Sequence, residues 1–235
     1  MTPGPTLVLQ CPNCPTQVSH MTTASGNTFG ATFYTDGQRF APMMPSPKYL
    51  VRCPGCRTVH RLNDLEEVDS YHWYVAELPG LRSVDEKKKA RELNEAKQAK
   101  YEDLPRYELV QAKDYFEFAS SHAKDKKEEL YLRTLGWRAG NDSRRKGVDT
   151  LDFDMLEVDN LRRLLHLAEG NKDFPQILVA EIYRELGLLH EAEAVLNQLS
   201  QAADSISEFE RESLPFYLSL VQKKVTAVQE LVTSN

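Results

Sequence analysis

The feature that most constrains this chain of 235 residues is its set of four cysteines at positions 11, 14, 53 and 56. They form two pairs of the same shape, Cys11-Pro12-Asn13-Cys14 and Cys53-Pro54-Gly55-Cys56. A Cys-x-x-Cys turn places two sulfurs on one side of a metal, and proline after the first cysteine stiffens it. Thiolates are soft ligands, and four of them suit a closed tetrahedral zinc shell. In a reducing compartment such pairs point to metal rather than disulfides. Cys11, Cys14, Cys53 and Cys56 are therefore the expected ligands of one structural zinc ion per chain. Iron is the alternative occupant of the same ligands, and it would make a coloured redox protein. Catalytic zinc keeps an open position, which four cysteines would fill. His20 and His60, near the turns in sequence, read as surface histidines or as supports behind the ligands.

The two turns resemble the zinc-ribbon and rubredoxin-type knuckle, whose usual form is Cys-Pro-x-Cys-Gly. The resemblance covers about a quarter of the chain. Pro15 and Arg57 stand where that pattern has glycine, and 38 residues separate the pairs, against about 15–20 in compact sites. The resemblance implies a small β-rich metal domain.

Residues 6–62 read as that unit. Leu7-Val8-Leu9, Phe29 to Tyr34 and Tyr49-Leu50-Val51 are short apolar runs separated by turn signals. Asp36-Gly37 marks a hairpin. Pro42, Pro45 and Pro47 enforce an extended stretch. Tyr71, Trp73 and Val75 alternate as in a strand. Tyr71, Trp73 and Tyr74 are the aromatics expected where a ribbon meets helices.

Residues 83–103 are helix-favouring and charged, with almost no apolar face: a solvated helix or a mobile linker. The domain boundaries are set at 1–79 for the ribbon and its extension, 80–104 for the linker and 105–235 for a helical domain. Tyr107, Val110, Tyr115, Phe116 and Phe118 mark a first helix. Leu130 to Trp137 mark a second, Leu161 to Leu167 a third, and Phe174 to Leu186 a fourth. His190 to Ala202 mark a fifth, with one or two more between Phe209 and Leu231. The expected fold is α+β: a small ribbon followed by a larger, all-α, repeat-like domain.

Within the helical part, Ala180, Tyr183, Leu186-Gly187, Glu191-Ala192 and Leu196 resemble one tetratricopeptide repeat. Small residues allow close helix crossing, and tyrosine and leucine fill the gap between paired helices. The resemblance implies stacked helix pairs and a concave face for a protein partner. Tyr183, Arg184, His190 and Tyr217 are the partner-binding candidates on that face.

A catalytic set does not emerge. Nucleotide-binding loops, Gly-x-Ser-x-Gly and His-Glu-x-x-His are absent. His166 reads as a core or groove histidine and Trp137, beside Arg133 and Arg138, as core. Asp152, Asp154, Glu157 and Asp159 read as the acidic entry of a helix. No apolar run is long enough to span a membrane, and the first ten residues do not form a secretory signal, so a cytoplasmic location is expected. The net charge is −6, and residues 151–235 carry 15 acidic against 7 basic groups. That balance disfavours nucleic acid as the main ligand, although Arg39, Lys48, Arg52, Arg57 and Arg61, with Phe33, Tyr34 and Tyr49 for stacking, keep it as an alternative. The leading expectation is a non-enzymatic scaffold with protein partners; the second alternative is an electron carrier.

Overall fold

A computed structural model describes residues 1–72, 83–145, 154–202 and 206–231. The fold is α+β. Two compact units divide the chain: residues 1–30 with 41–110, and residues 31–40 with 111–235.

The first unit is built on two β-hairpins. β1 (Thr2–Gln10) and β2 (Gln17–Ser25) pair antiparallel. A shorter hairpin, β5 (Leu50–Arg52) with β6 (Val59–Arg61), forms its own two-stranded sheet. β7 (Glu66–His72) pairs with the free edge of β1, giving the order β2-β1-β7. Leu9, Val18, Val51 and Leu65 form the core, and Tyr107 packs against it.

α1 (Val84–Tyr101) fills most of the expected linker, begun by a capping box between Ser83 and Glu86. It belongs to the first unit through polar anchors rather than an apolar stripe. Asn94 exchanges two 2.6 Å hydrogen bonds with the main chain of His72. Lys97 pairs with Asp69, and the Tyr101 hydroxyl donates to the same carboxylate at 2.9 Å. These contacts hold the Asp69 carboxyl at about 2, with Lys97 the largest cause. Tyr71 stacks on Tyr101 within this unit; Trp73 and Tyr74 lie outside the described residues.

The first helix expected after residue 105 starts later. Pro105–Glu108 is extended, and α2 (Ala112–His122) begins where the Asp114 carboxylate accepts the Gln111 N–H at 2.8 Å. Tyr107 thus packs from an extended strap, and Val110 precedes the helix in the connection to α2. The strap stitches the two hairpins together. Ser19 N–H donates to Pro105 O at 3.0 Å, and Arg52 and Glu108 exchange main-chain bonds of 3.2 and 3.1 Å.

The second unit carries α2, α3 (Lys126–Gly140), the single turn α4 (Asp142–Arg145), α5 (Met155–Ala168), α6 (Gln176–Glu185), α7 (Leu189–Gln201) and α8 (Glu208–Gln222). Neighbours in sequence pack on one another, α2 on α3 and α5 to α8 in succession, with α3 also against α5. The core runs through Trp137, Leu161, Leu164, Ile182, Leu196 and Tyr217. The expected acidic helix entry holds for Asp154, which caps α5 together with Glu157; Asp152 lies outside the described residues.

A small sheet completes this unit: β3 (Thr32–Tyr34) between β4 (Arg39–Phe40) and β8 (Glu230–Leu231). The Asp36-Gly37 turn forms as expected, with Gly37 at φ 72°. Yet residues 31–40, placed by sequence in the ribbon, cluster with the helices. The cause is a buried polar network around the turn. Asp36 pairs with Arg145 and accepts from Asn141 at 3.1 Å. Tyr217 donates its hydroxyl to Thr35 O at 2.7 Å.

Candidate metal centre

Each Cys-x-x-Cys turn closes a hairpin of the first unit. Cys11 follows the last residue of β1 and Cys53 the last residue of β5. Both turns close with the same main-chain bond: Cys11 N–H to Thr16 O at 3.1 Å, and Cys53 N–H to Thr58 O at 3.0 Å. The strap of residues 105–108, bonded to β2 at one end and β5 at the other, holds the two turns face to face.

The four sulfurs lie within 4.8 Å of one another. Cys11 Sγ is 3.7 Å from Cys56 Sγ, and Cys14 Sγ is 3.6 Å from Cys53 Sγ. Those separations are far too long for a disulfide. Ligands at about 2.3 Å from a tetrahedral zinc are ~3.8 Å apart, so the donor set fits a tetrahedral metal in type, number and spacing. Cys11 and Cys53 are buried, while Cys14 and Cys56 are partly exposed.

The protein supplies the polar surroundings that four thiolates need. Burial pushes the Cys11 thiol up to about 12. Thr16 donates its hydroxyl and N–H to Cys14 and lowers that thiol to about 6. Thr58 does the same for Cys56, lowering it to about 7. His60 Nε2 is 3.6 Å from Cys11 Sγ, in keeping with a histidine that supports a ligand. Gln10 Nε2 donates to Cys14 O at 2.9 Å and braces the first turn from inside.

The two positions that depart from the knuckle pattern behave differently. Arg57 takes φ 66°, the left-handed conformation for which glycine is usual. Its N–H bonds Cys53 O at 2.9 Å, and its guanidinium pairs with Glu108 of the strap. Pro15 cannot take a positive φ, so the first turn is built without that conformation. The threonines were missed by sequence reading, although the signal was present. Both turns continue as Cys-Pro-x-Cys-x-Thr, ending at Thr16 and Thr58.

The residues expected on a partner face are not brought together. Arg184 is 1% exposed; it is bound to Glu181 and to Val225 O. Tyr217 is 2% exposed and engaged by Thr35. The partner-binding expectation for these two is corrected, because a buried side chain offers no surface. Tyr183 is half-buried against the core, and His190 is exposed. Trp137 is core, its indole donating to Glu185 Oε2 at 2.6 Å. His166 is exposed and lines a concavity of the helical unit. The basic and aromatic set expected for nucleic acid is divided: Phe33, Tyr34 and Arg39 belong to the second unit, the rest to the first. Arg61 is further engaged by Asp64.

No helix among the described residues is long and apolar enough to cross a membrane. No family model, no curated protein and no solved structure matches the chain.

Proposed function

We propose that this chain is a non-enzymatic, zinc-stabilised interaction protein, in which Cys11, Cys14, Cys53 and Cys56 hold one structural zinc ion. The observation that carries this reading is the convergence of four thiols, from two hairpins, at the spacing of a tetrahedral tetrathiolate site. Four cysteines complete the shell and leave no position for substrate or water. The apolar cluster between the two hairpins, Leu9, Val18, Val51 and Leu65, is small, and a metal clip beside it would add to the stability of the first unit.

The partner half of the reading is supported by the second unit. The pair α6–α7 is read as tetratricopeptide-like, because Ala180 and Ala192 are fully buried in the core that Tyr183, Leu186 and Leu196 help to fill. A concavity of about 740 Å³ opens along α3, α5 and the start of α6. Leu130, Leu167, Phe174 and Leu178 are among its apolar residues, and its charged residues are of both signs, Lys126, Lys127 and Arg163 with Glu169 and Asp173. An apolar floor with convergent charges is the composition of a binding groove.

The test is chelation. Removing the metal should unfold the first unit while the α2–α8 helices keep their circular dichroism, and returning zinc should restore the unit. A first unit that stays folded after complete chelation contradicts the reading. Reversible one-electron chemistry of an iron-loaded chain would turn it toward electron transfer.

A further inference from the structure

β2 is the edge strand of its sheet, with β1 on one side. On its other side Ser19 donates its N–H to Pro105 O, and a parallel bridge pairs Ser19 with Arg106. Main-chain groups alternate inward and outward along an antiparallel strand. With Ser19 pointing outward, Met21 and Thr23 point outward too. Among the described residues, no main-chain partner meets these outward groups. The strap therefore covers the start of the edge and leaves Met21–Ser25 open. An uncovered edge is a template for another strand.

That open edge borders a slot of about 540 Å³. Met44–Lys48 forms the opposite wall, and Arg106 and Tyr107 close one end. Pro45 and Pro47 lack N–H groups, so this wall is poorly suited to seal the edge by pairing. The charges around the slot are one-sided. Lys48 and Arg106 line it, and His20 is held below its ordinary pKa first by burial and then by Lys48. No aspartate or glutamate lines the slot itself among the described residues; the carboxylates Glu95 and Glu102 line the adjoining concavity that shares Arg106. This holds in a chain whose net charge is −6.

We propose that this slot is the docking site for an extended acidic peptide segment of a partner protein, which adds to β2 as a fourth strand of the β2-β1-β7 sheet. The proposal rests on the reading of the chain as an interaction protein and names the surface and the partner chemistry. Main-chain bonds to Met21 and Thr23 supply affinity, and Lys48 and Arg106 select acidic side chains. The open stretch, five residues long, spans about 16 Å at ~3.3 Å per residue, enough for four or five partner residues. A row of free strand-edge donors and acceptors complements a peptide main chain and not a sugar-phosphate one.

The experiment uses the full, zinc-loaded, ¹⁵N-labelled chain. The probe is an acetylated and amidated heptapeptide of alternating glutamate and valine. A second copy of the probe is N-methylated at every other residue, which keeps its charge and removes its pairing donors. The expected result is saturable binding that shifts the Met21, Thr23 and Lys48 amides. Binding should weaken by about tenfold or more with the N-methylated probe, with Thr23→Pro, and with the Lys48→Glu, Arg106→Glu double variant. No saturable shift, or equal binding of both probes, overturns the proposal. Tighter binding of a thymidine oligonucleotide at the same amides overturns it in favour of nucleic acid. Zinc is measured on the same sample. A zinc-loaded chain that ignores the peptide sinks this inference alone, whereas a chain that holds no zinc sinks the metal reading whatever the peptide does.

Discussion

Gly55 of the second turn stands against Thr16 of the first. A Cβ at position 55 would overlap the Thr16 hydroxyl, 3.0 Å from Thr16 Cβ and 3.4 Å from Cys14 Sγ. The two turns therefore approach as closely as their atoms allow, and Thr16 is also the residue whose hydroxyl and N–H stabilise the Cys14 thiolate. Gly55→Ala should push the turns apart at the metal. Overpacking of this kind costs about 1–3 kcal/mol, and zinc affinity should fall about tenfold or more, measured by competition with a chromophoric chelator. Unchanged affinity would show that the turns are not in contact.

Tyr107 links strap to core but leaves its hydroxyl buried without a hydrogen-bond partner among the described residues. An unpartnered buried polar group costs about 1–3 kcal/mol. Tyr107→Phe should accordingly be neutral or stabilising in urea unfolding of the zinc-loaded chain. Tyr107→Ala should lose about 3 kcal/mol and weaken zinc binding, because the strap then loosens between the hairpins.

In the helical unit, Glu129 accepts from Arg163 at 2.8 and 2.9 Å and from Arg133 at 2.9 Å. Arg163 first, then Arg133, hold its carboxyl at about 2, below its ordinary 4.5. The folded state thus binds this proton less readily than the unfolded chain does. The stabilisation is complete above pH 4.5 and is lost as pH falls from 4.5 toward 2. Glu129→Gln should flatten this acid limb relative to the parent, followed by circular dichroism, and should lower stability at neutral pH by about 2 kcal/mol.

Glu185 behaves in the opposite sense. It is 3% exposed, and burial, with Glu181 beside it, raises its carboxyl from 4.5 to about 8. Trp137 and Asn141 donate to it but do not offset the burial. The folded state holds the proton that the unfolded chain releases, so its contribution falls as pH rises from 4.5 through 8. Glu185→Gln, which keeps an acceptor for both donors, should remove that decline and be more stable than the parent at pH 8. An unchanged slope between pH 5 and 8 would contradict the assignment.

The four-cysteine cluster was legible because the spacing of thiols is local chemistry, and two like turns signal one another. Hairpin β3–β4 was legible from Asp36-Gly37, and the later helices from their apolar period. What could not be read depends on distant residues. Glu230–Leu231 becomes a strand only because Phe33 and Tyr34 await it nearly 200 residues earlier. Tyr107 and Val110 fit a helical period, yet the strand edges at Ser19 and Arg52 capture that stretch first. Arg184 lies in the segment that the sequence reads as the exposed face of a repeat, yet it is buried. Glu181, one turn before it, supplies the partner that lets it be buried. The Thr16 and Thr58 pair was visible in the sequence, but its meaning emerges only when each hydroxyl is seen beside a sulfur.

The central claim is that four thiols from two hairpins hold one structural zinc ion. The measurement that tests it most directly is metal content of the purified chain by mass spectrometry, read beside thiol titration and the visible spectrum. The account predicts one zinc per chain, no colour, and four thiols that react only after chelation. Iron with a red colour, or four freely reactive thiols and no metal, would contradict it.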